Sequence, residues 1–102
     1  MAGTPTVGLL VTIEAKPGRE NDVEELLDSG LSVVNQEPGT TFWFALHLGG
    51  STYGIFDAFL DDAGRDAHLH GALAEALMSQ ASDLLTGAPD IQQIDIRSSK
   101  VQ

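Results

Sequence analysis

Residues 40–60 read TTFWFALHLGGSTYGIFDAFL, and this stretch decides the fold. Two runs rich in aromatic, aliphatic and β-branched residues flank a Gly-Gly-Ser sequence at 49–51. Runs of this kind, separated by a short glycine-containing loop, predict a β-hairpin. A three-residue loop places Leu48 opposite Thr52. The sequence therefore predicts two antiparallel strands, 40–48 and 52–60, in that register.

The register decides which polar side chains of the hairpin meet. In the three-residue arrangement His47 lies opposite Tyr53, and Trp43 lies opposite Asp57 on the same face. A two-residue loop is expected to break this grouping, since a slip by one residue moves every side chain of one strand relative to the other. The opposite face carries apolar side chains, namely Phe42, Phe44, Leu46, Phe56 and Ala58.

The rest of the chain adds one strand before the hairpin, one after it and two helical regions. Residues 7–15 and 91–97 read as strands, and residues 19–36 read as a helix. Residues 61–85 read as a second helical region with an irregularity near Gly71. The predicted apolar stripes are Val23, Leu26, Leu27, Leu31 and Val34 in the first helix, and Ala67, Ala74, Leu77, Ala81 and Leu84 in the second.

The order β-α-β-β-α-β predicts an α+β, ferredoxin-like domain with a four-stranded antiparallel sheet and helices on one face. We expect one domain over residues 1–102, with a core of about 7–97 and frayed ends. The strands are apolar on both faces, as in Leu9 and Val11 against Leu10. Because the helices cover only one face, we expect the other to be covered in a homodimer.

Composition excludes several classes of partner and site. The chain of 102 residues has 15 acidic and 5 basic residues, a formal charge of −10 and no cysteine. Such a charge disfavours binding to nucleic acid or to an anionic membrane. No membrane-spanning run or signal peptide is expected, and the lack of cysteine fits a cytoplasmic protein. No phosphate loop, dinucleotide fingerprint or nucleophile elbow is present, so we expect no cofactor.

Trp43, His47, Tyr53 and Asp57 form a mixed aromatic and polar wall in the predicted register. Such a wall can stack a planar molecule and offer it hydrogen bonds. The alternative is that Trp43 and Tyr53 are aromatic residues of the core or of a dimer interface. Both interpretations remain open from the sequence.

Two histidines, His68 and His70, lie in the second helical region. Positions two apart on a helix point to different sides, so this pair is a poor metal chelate and no metal site is expected. One of the two is expected to face the space between helix and sheet, where it can carry a proton. The alternative is a histidine that only hydrogen-bonds the backbone near the start of the helix.

Taken in order, these segments resemble antibiotic biosynthesis monooxygenase domains. The resemblance rests on Lys16–Glu20 before the first helix, Glu37–Trp43 at the start of the second strand, Tyr53–Asp61 over the third, and Ala67–Leu69. It covers about residues 7–96. The continuation His68–Leu73 departs from the family's usual pattern at this helix. The asparagine and tryptophan of related haem-degrading members are absent from the first and third strands, which disfavours haem degradation.

The resemblance implies a dimeric α/β-barrel that oxidises small aromatic or quinol-like molecules with dioxygen, without metal or flavin. The substrate, once deprotonated, passes electrons to dioxygen, and the protein supplies a dry pocket and a proton acceptor. The alternative functions are a non-catalytic small-molecule-binding or stress-response dimer and a purely structural module. The candidate catalytic residues are His68, His47 and Asp57, with either histidine as proton acceptor and Asp57 as its orienting partner. The candidate substrate-binding residues are Trp43, Tyr53 and Phe56.

Overall fold

The computed structural model describes residues 3–101 and contains four strands and three helices within them. The strands form one antiparallel sheet in which the second and fourth strands lie at the edges. This arrangement confirms the predicted α+β, ferredoxin-like fold. The elements are β1 (Val7–Glu14), α1 (Glu20–Val34), β2 (Thr40–Gly49), β3 (Thr52–Phe59), α2 (Asp62–Leu69), α3 (Ala72–Leu84) and β4 (Asp90–Asp95), and the strand order is β2-β3-β1-β4.

Helix α1 buries Val23, Leu27 and Val34 of the predicted stripe but departs from the prediction at Leu31. Leu31 is 52% exposed, whereas Gly30 is buried. A Cβ atom at Gly30 would lie 3.0 Å from Leu73 Cδ1 and 3.2 Å from Trp43 Cζ2. The missing side chain therefore lets α3 and β2 pack closely against α1. Apolar periodicity favoured Leu31 because it gave no weight to a glycine contact.

The second helical region is two helices, with the predicted irregularity at His70 and Gly71. The Asp61 side chain caps α2 by accepting a hydrogen bond from the Gly64 N–H at 3.0 Å. Helix α2 then packs against β1, β2 and β3, whereas α3 packs against α1. The break thus allows α2 to present His68, which is buried, to the sheet.

The hairpin loop differs from the prediction, although the predicted strand pairs are present. Gly49, rather than Leu48, pairs with Thr52, so only Gly50 and Ser51 form the loop. The backbone at Gly49 and Gly50 has φ angles of 119° and 54°, which glycine adopts without strain.

A β-bulge explains why the predicted pairs survive this shorter loop. The register shifts between His47 and Gly49, so that Leu48 is the extra residue on β2. His47 therefore still pairs with Tyr53, as a three-residue loop would have placed it. Trp43 pairs with Asp57, Phe42 with Ala58, and Phe44 with Phe56.

The sheet separates a closed face from an open one. Alternate residues of β1 and β3 pack under the helices, and among these Leu9 and Phe59 are almost completely buried. The other face is also apolar, but it leaves Phe44 50% exposed. The two-sided apolar pattern of the sequence is therefore present in the sheet.

The segments flanking the sheet are partly tied to it. Thr6 donates its N–H to the Phe59 carbonyl and accepts from the Ile96 N–H, at 3.0 and 2.9 Å. The predicted fraying falls in part on Met1, Ala2 and Gln102, which lie outside the described residues. Within residues 3–101, no helix is long and apolar enough to cross a membrane.

Candidate functional site

His68 lies between two carboxylates under the closed face of the sheet. Its side chain is 7% exposed, and its ring packs 5.4 Å from the ring of Phe59. The Nδ1 atom is 2.6 Å from Glu37 Oε1, and the Nε2 atom is 2.9 Å from Asp57 Oδ2. Both ring nitrogens are therefore engaged by acidic groups from elements far apart in the sequence.

Glu37 reaches His68 because the loop after α1 approaches α2 very closely. Its backbone N–H donates to the Val34 carbonyl at 2.9 Å, which turns the chain out of α1. A Cβ atom at Gly39 would lie 3.1 Å from Gly64 Cα, so two glycines allow this contact between loop and helix. The Thr40 hydroxyl also donates to Glu37 Oε1 at 2.8 Å and fixes the carboxylate.

Asp57 is fully buried in the middle of β3. Among the described residues, neither of its side-chain oxygens has a well-aligned hydrogen bond. The 2.9 Å contact with His68 is therefore an ion pair whose N–H does not point directly at Oδ2. Buried carboxylate oxygens normally accept hydrogen bonds, so the Asp57 carboxylate is open to a further polar partner.

The environment of His68 favours its protonated form. Burial of the ring lowers the pKa of His68, but the neighbouring Asp57 and Glu37 more than offset this, and the pKa is raised above its usual value. The geometry leads to the same conclusion, because a neutral imidazole would direct a lone pair at one of the two carboxylates. The arrangement is a carboxylate, an imidazolium and a second carboxylate.

A small apolar cavity of about 90 Å³ adjoins this group. Asp57 and His68 are its polar lining, while aliphatic side chains such as Ile55 and Leu73 form much of the rest. Met78 and Ile91 also line it and are 55% and 42% exposed, which places them at its mouth. An apolar pocket with one convergent polar group suits a small molecule with a ring and a single polar edge.

Trp43 lies beside this site but is not part of the cavity lining. It faces Asp57 across the two strands and packs against the core under α1. Its indole Nε1 is buried and has no hydrogen-bond partner in the part of the chain that the structure describes. The predicted role of Trp43 in holding a substrate ring stays a prediction.

His47 and Tyr53 lie at the opposite end of the hairpin face. Their rings stack with centroids 4.6 Å apart and planes inclined by 15°. The Tyr53 hydroxyl donates to Glu24 Oε2 at 2.5 Å, and this hydrogen bond raises the pKa of Tyr53 to about 12. His47 is exposed and its Nε2 lies 2.9 Å from the Gly50 carbonyl oxygen. These contacts form a second polar group, separate from His68.

The structure therefore divides the six candidate residues. Asp57 and His68 meet, but His47 is four residues along β2 from the position opposite Asp57, about 13 Å at strand spacing. The hypothesis that Asp57 orients His47 as a base is wrong for this reason. Phe56 lies on the open face, where its ring stacks on Phe44 with centroids 6.4 Å apart, so it does not share a site with the others.

Two further residues clarify the sequence predictions. Of the paired histidines, His68 faces the interior, whereas the His70 side chain is 78% exposed. Glu37 begins the Glu37–Trp43 segment that carries part of the resemblance, but no role in the site was predicted for it. Its position before a proline and a glycine was the one available signal that this carboxylate ends up in a fixed place. Within residues 3–101, no group of three histidine, cysteine or acidic side chains is arranged to hold a metal ion.

No protein-family model and no curated protein matches the chain. Among solved structures, the chain is similar to NE2512 of Nitrosomonas europaea, a protein of unknown function. The two are 46% identical over 99% of this chain and 98% of NE2512, with a TM-score of 0.94. The chain belongs to the family of NE2512.

More distant structures of the same fold are provisionally named antibiotic biosynthesis monooxygenases. One from Caulobacter crescentus is 16% identical over 92% of each chain, with a TM-score of 0.79. Another from Nitrosomonas europaea is 12% identical over 95% of this chain and 96% of its own length, with a TM-score of 0.80. The resemblance drawn from the sequence is confirmed: the NE2512 family has the antibiotic biosynthesis monooxygenase-like fold. At these identities the likeness establishes the fold and not an activity.

Proposed function

We propose that the chain is a cofactor-independent monooxygenase that oxidises a small phenol or quinol-like molecule with dioxygen. The observation that carries the proposal is the apolar cavity that closes on the buried Asp57–His68 pair. In the simplest balanced reaction, a ring CH₂ group and dioxygen give a ring carbonyl and water. All four electrons come from the substrate, and one oxygen atom enters it.

The cavity supplies the conditions that this chemistry requires. Its aliphatic walls exclude water, so a deprotonated ring bound there is not reprotonated by solvent. The polar edge accepts the proton of the substrate, which makes the ring electron-rich enough to reduce dioxygen. The exposed side chains at the mouth, Met78 and Ile91, can move to admit a ring larger than the closed cavity.

Oxygen uptake tests this function directly. Wild-type protein, freed of metal by chelation, is mixed with a panel of quinols and anthrone-like phenols in an oxygen-electrode cell. Ala74→Leu fills the cavity and is expected to reduce uptake at least about tenfold, because the larger side chain occupies the space of the ring. The matched control is Ala72→Leu, which adds the same atoms at an exposed position on the same helix and should retain full uptake.

Three outcomes of this assay would contradict the proposal. Uptake no higher than the buffer background across the whole panel would remove the enzymatic function. Saturable binding of the same molecules without uptake would instead support the alternative, a non-catalytic small-molecule-binding protein. Equal loss of uptake in Ala74→Leu and Ala72→Leu would show that the cavity is not the reacting site.

We also propose that the chain works as a homodimer paired through the open face of the sheet. Phe44 and Leu48 there are 50% and 52% exposed. A groove of about 450 Å³ runs along the same face between Phe56 and the segment 98–101. Such a continuous apolar surface is unusual on a monomer, and a second copy presents the same surface to it. The proposed pairing would also rigidify the sheet that carries Asp57.

Sedimentation velocity separates this dimer from a monomer. The variant Phe44→Glu places a charge in the middle of the proposed interface and is expected to shift the protein to monomer at micromolar concentration. Leu31→Glu is the matched control, because Leu31 is equally exposed, at 52%, but lies on α1. A wild-type monomer, or a dimer that Phe44→Glu leaves intact, would contradict the proposed interface.

A further inference from the structure

Asp57 and His68 are the two polar residues that line the cavity, and they differ in their ability to accept a proton from a ligand. His68 is already engaged at both ring nitrogens, by Glu37 at 2.6 Å and by Asp57 at 2.9 Å. An imidazole with two N–H groups, each facing a carboxylate, has no lone pair to offer a ligand. Of the two candidate bases predicted from the sequence, His68 therefore has both ring nitrogens engaged before any substrate binds.

Asp57 is the remaining acceptor. It is fully buried and lines the cavity, and its Oδ1 has no hydrogen-bond donor among the described residues. Burying an acceptor without a donor is unfavourable, and a hydroxyl donor from a ligand would remove this cost. A phenol is such a donor on an otherwise apolar ring.

We infer that Asp57 Oδ1 accepts the proton of a bound phenol, and that Glu37 is a positioning residue that holds His68 as an imidazolium beside it. The O–H bond of the phenol breaks, the proton goes to Asp57, and the bonding electron pair stays on the phenolate oxygen. This inference rests on the proposed function for the identity of the substrate class. It assigns the roles within the site differently from the sequence prediction, in which either His68 or His47 accepts the proton and Asp57 orients it.

Glu37 acts on the reaction only through His68. Its carboxylate is held by the Thr40 hydroxyl at 2.8 Å and is 21% exposed, so it lies between solvent and the imidazole ring. The positive charge of His68 lies between the carboxylates of Asp57 and Glu37 and offsets the repulsion between them. It also leaves a charge near the phenolate that forms in the cavity.

The test uses ionisation of 4-nitrophenol, whose anion is coloured, together with oxygen uptake on the active quinols. It is run well below the pKa of the free phenol, where little of the anion forms without the protein. Wild-type protein should form the coloured anion. Asp57→Asn should abolish it and should lower uptake at least about 100-fold, the usual contribution of a general base.

His68→Gln separates the two possible bases. If Asp57 accepts the proton, this variant still forms the coloured anion, since the Asp57 carboxylate remains. Its oxygen uptake should fall, because His68 no longer positions the carboxylate. Glu37→Gln should likewise keep the anion but shift the pH profile of uptake, which a merely structural change would not do. Glu25→Gln removes an exposed acid of α1 and should change neither readout.

The outcomes distinguish this inference from the proposed function. A coloured anion that depends on Asp57, without any oxygen uptake, would remove the monooxygenase function and leave the base assigned. Uptake that survives Asp57→Asn but disappears in His68→Gln would overturn the inference and leave the function in place. Absence of the anion in wild-type protein would also overturn the inference.

Discussion

The two ends of one hairpin face carry the same kinds of residue and differ in nearly everything else. At one end His68 is 7% exposed and lies between Glu37 and Asp57. At the other end His47 is exposed, stacks on Tyr53 and has only the Gly50 carbonyl beside its Nε2. Each end combines an imidazole, an aromatic ring and nearby carboxylates.

The difference shows that burial, more than residue type, decides what a histidine can do. At the other end the Tyr53 ring belongs to the buried core, but the imidazole of His47 is exposed to water, and exposed contacts of this kind contribute little to stability. At the buried end water cannot solvate the charge of the fully buried Asp57, and the imidazolium between Asp57 and Glu37 is the group that neutralises it. The second arrangement fixes a proton in place beside an apolar cavity.

The largest expected effect comes from removing the buried imidazole. His68→Ala leaves the buried Asp57 without its positive partner, and should lower the free energy of unfolding by about 3 kcal/mol or more. The measurement is urea denaturation at pH 7, followed by circular dichroism. A loss below about 1 kcal/mol would mean that the buried group is not held by charge.

Titration of the single tyrosine probes the His47 end, where Tyr53 itself is buried. Tyr53 is the one tyrosine of the chain, so its ultraviolet absorbance reports only this site. The Glu24 hydrogen bond raises its pKa to about 12, from a usual value of 10.0, and Glu24→Gln should return most of that shift. The neighbouring exposed variant Glu25→Gln should leave the titration unchanged. A wild-type midpoint near 10 would show that the hydrogen bond does not persist.

The pH dependence of stability should carry the signature of His68. Its pKa is raised in the folded chain, with Asp57 facing it from β3 and Glu37 from the loop after α1. The stabilisation is therefore complete below the unfolded value of 6.5 and is lost as the pH rises through the folded pKa. Denaturation curves across this range should show falling stability in wild type and a flatter profile in Glu37→Gln. His70 is exposed, and the stability of His70→Gln should fall with pH as that of wild type does. A wild-type stability that does not change with pH would contradict this account.

The smallest effect is expected at His47. His47→Ala removes an exposed stacking contact and should change the free energy of unfolding by no more than about 0.5 kcal/mol. The measurement is the same urea denaturation used for His68→Ala. A loss as large as that of the buried variant would remove the distinction between the two ends.

The sequence predicted the fold and the strand pairs because alternation and helical spacing are local signals. It placed Trp43 opposite Asp57 correctly, although the loop was wrong and the Leu48 bulge restored the register. It did not predict that Glu37 meets His68, since that contact depends on a close approach of Gly39 to Gly64. Contacts between distant segments leave no periodic signal in a single sequence.

The charge of His68 tests the central claim most directly. In a chain labelled with ¹⁵N at histidine, nuclear magnetic resonance distinguishes a ring with two N–H groups from a neutral ring with one. We expect His68 to keep both protons above pH 6.5, the usual pKa of its side chain, because it lies between two carboxylates. If His68 instead loses a proton at or below that pH, the carboxylate–imidazolium–carboxylate arrangement is contradicted.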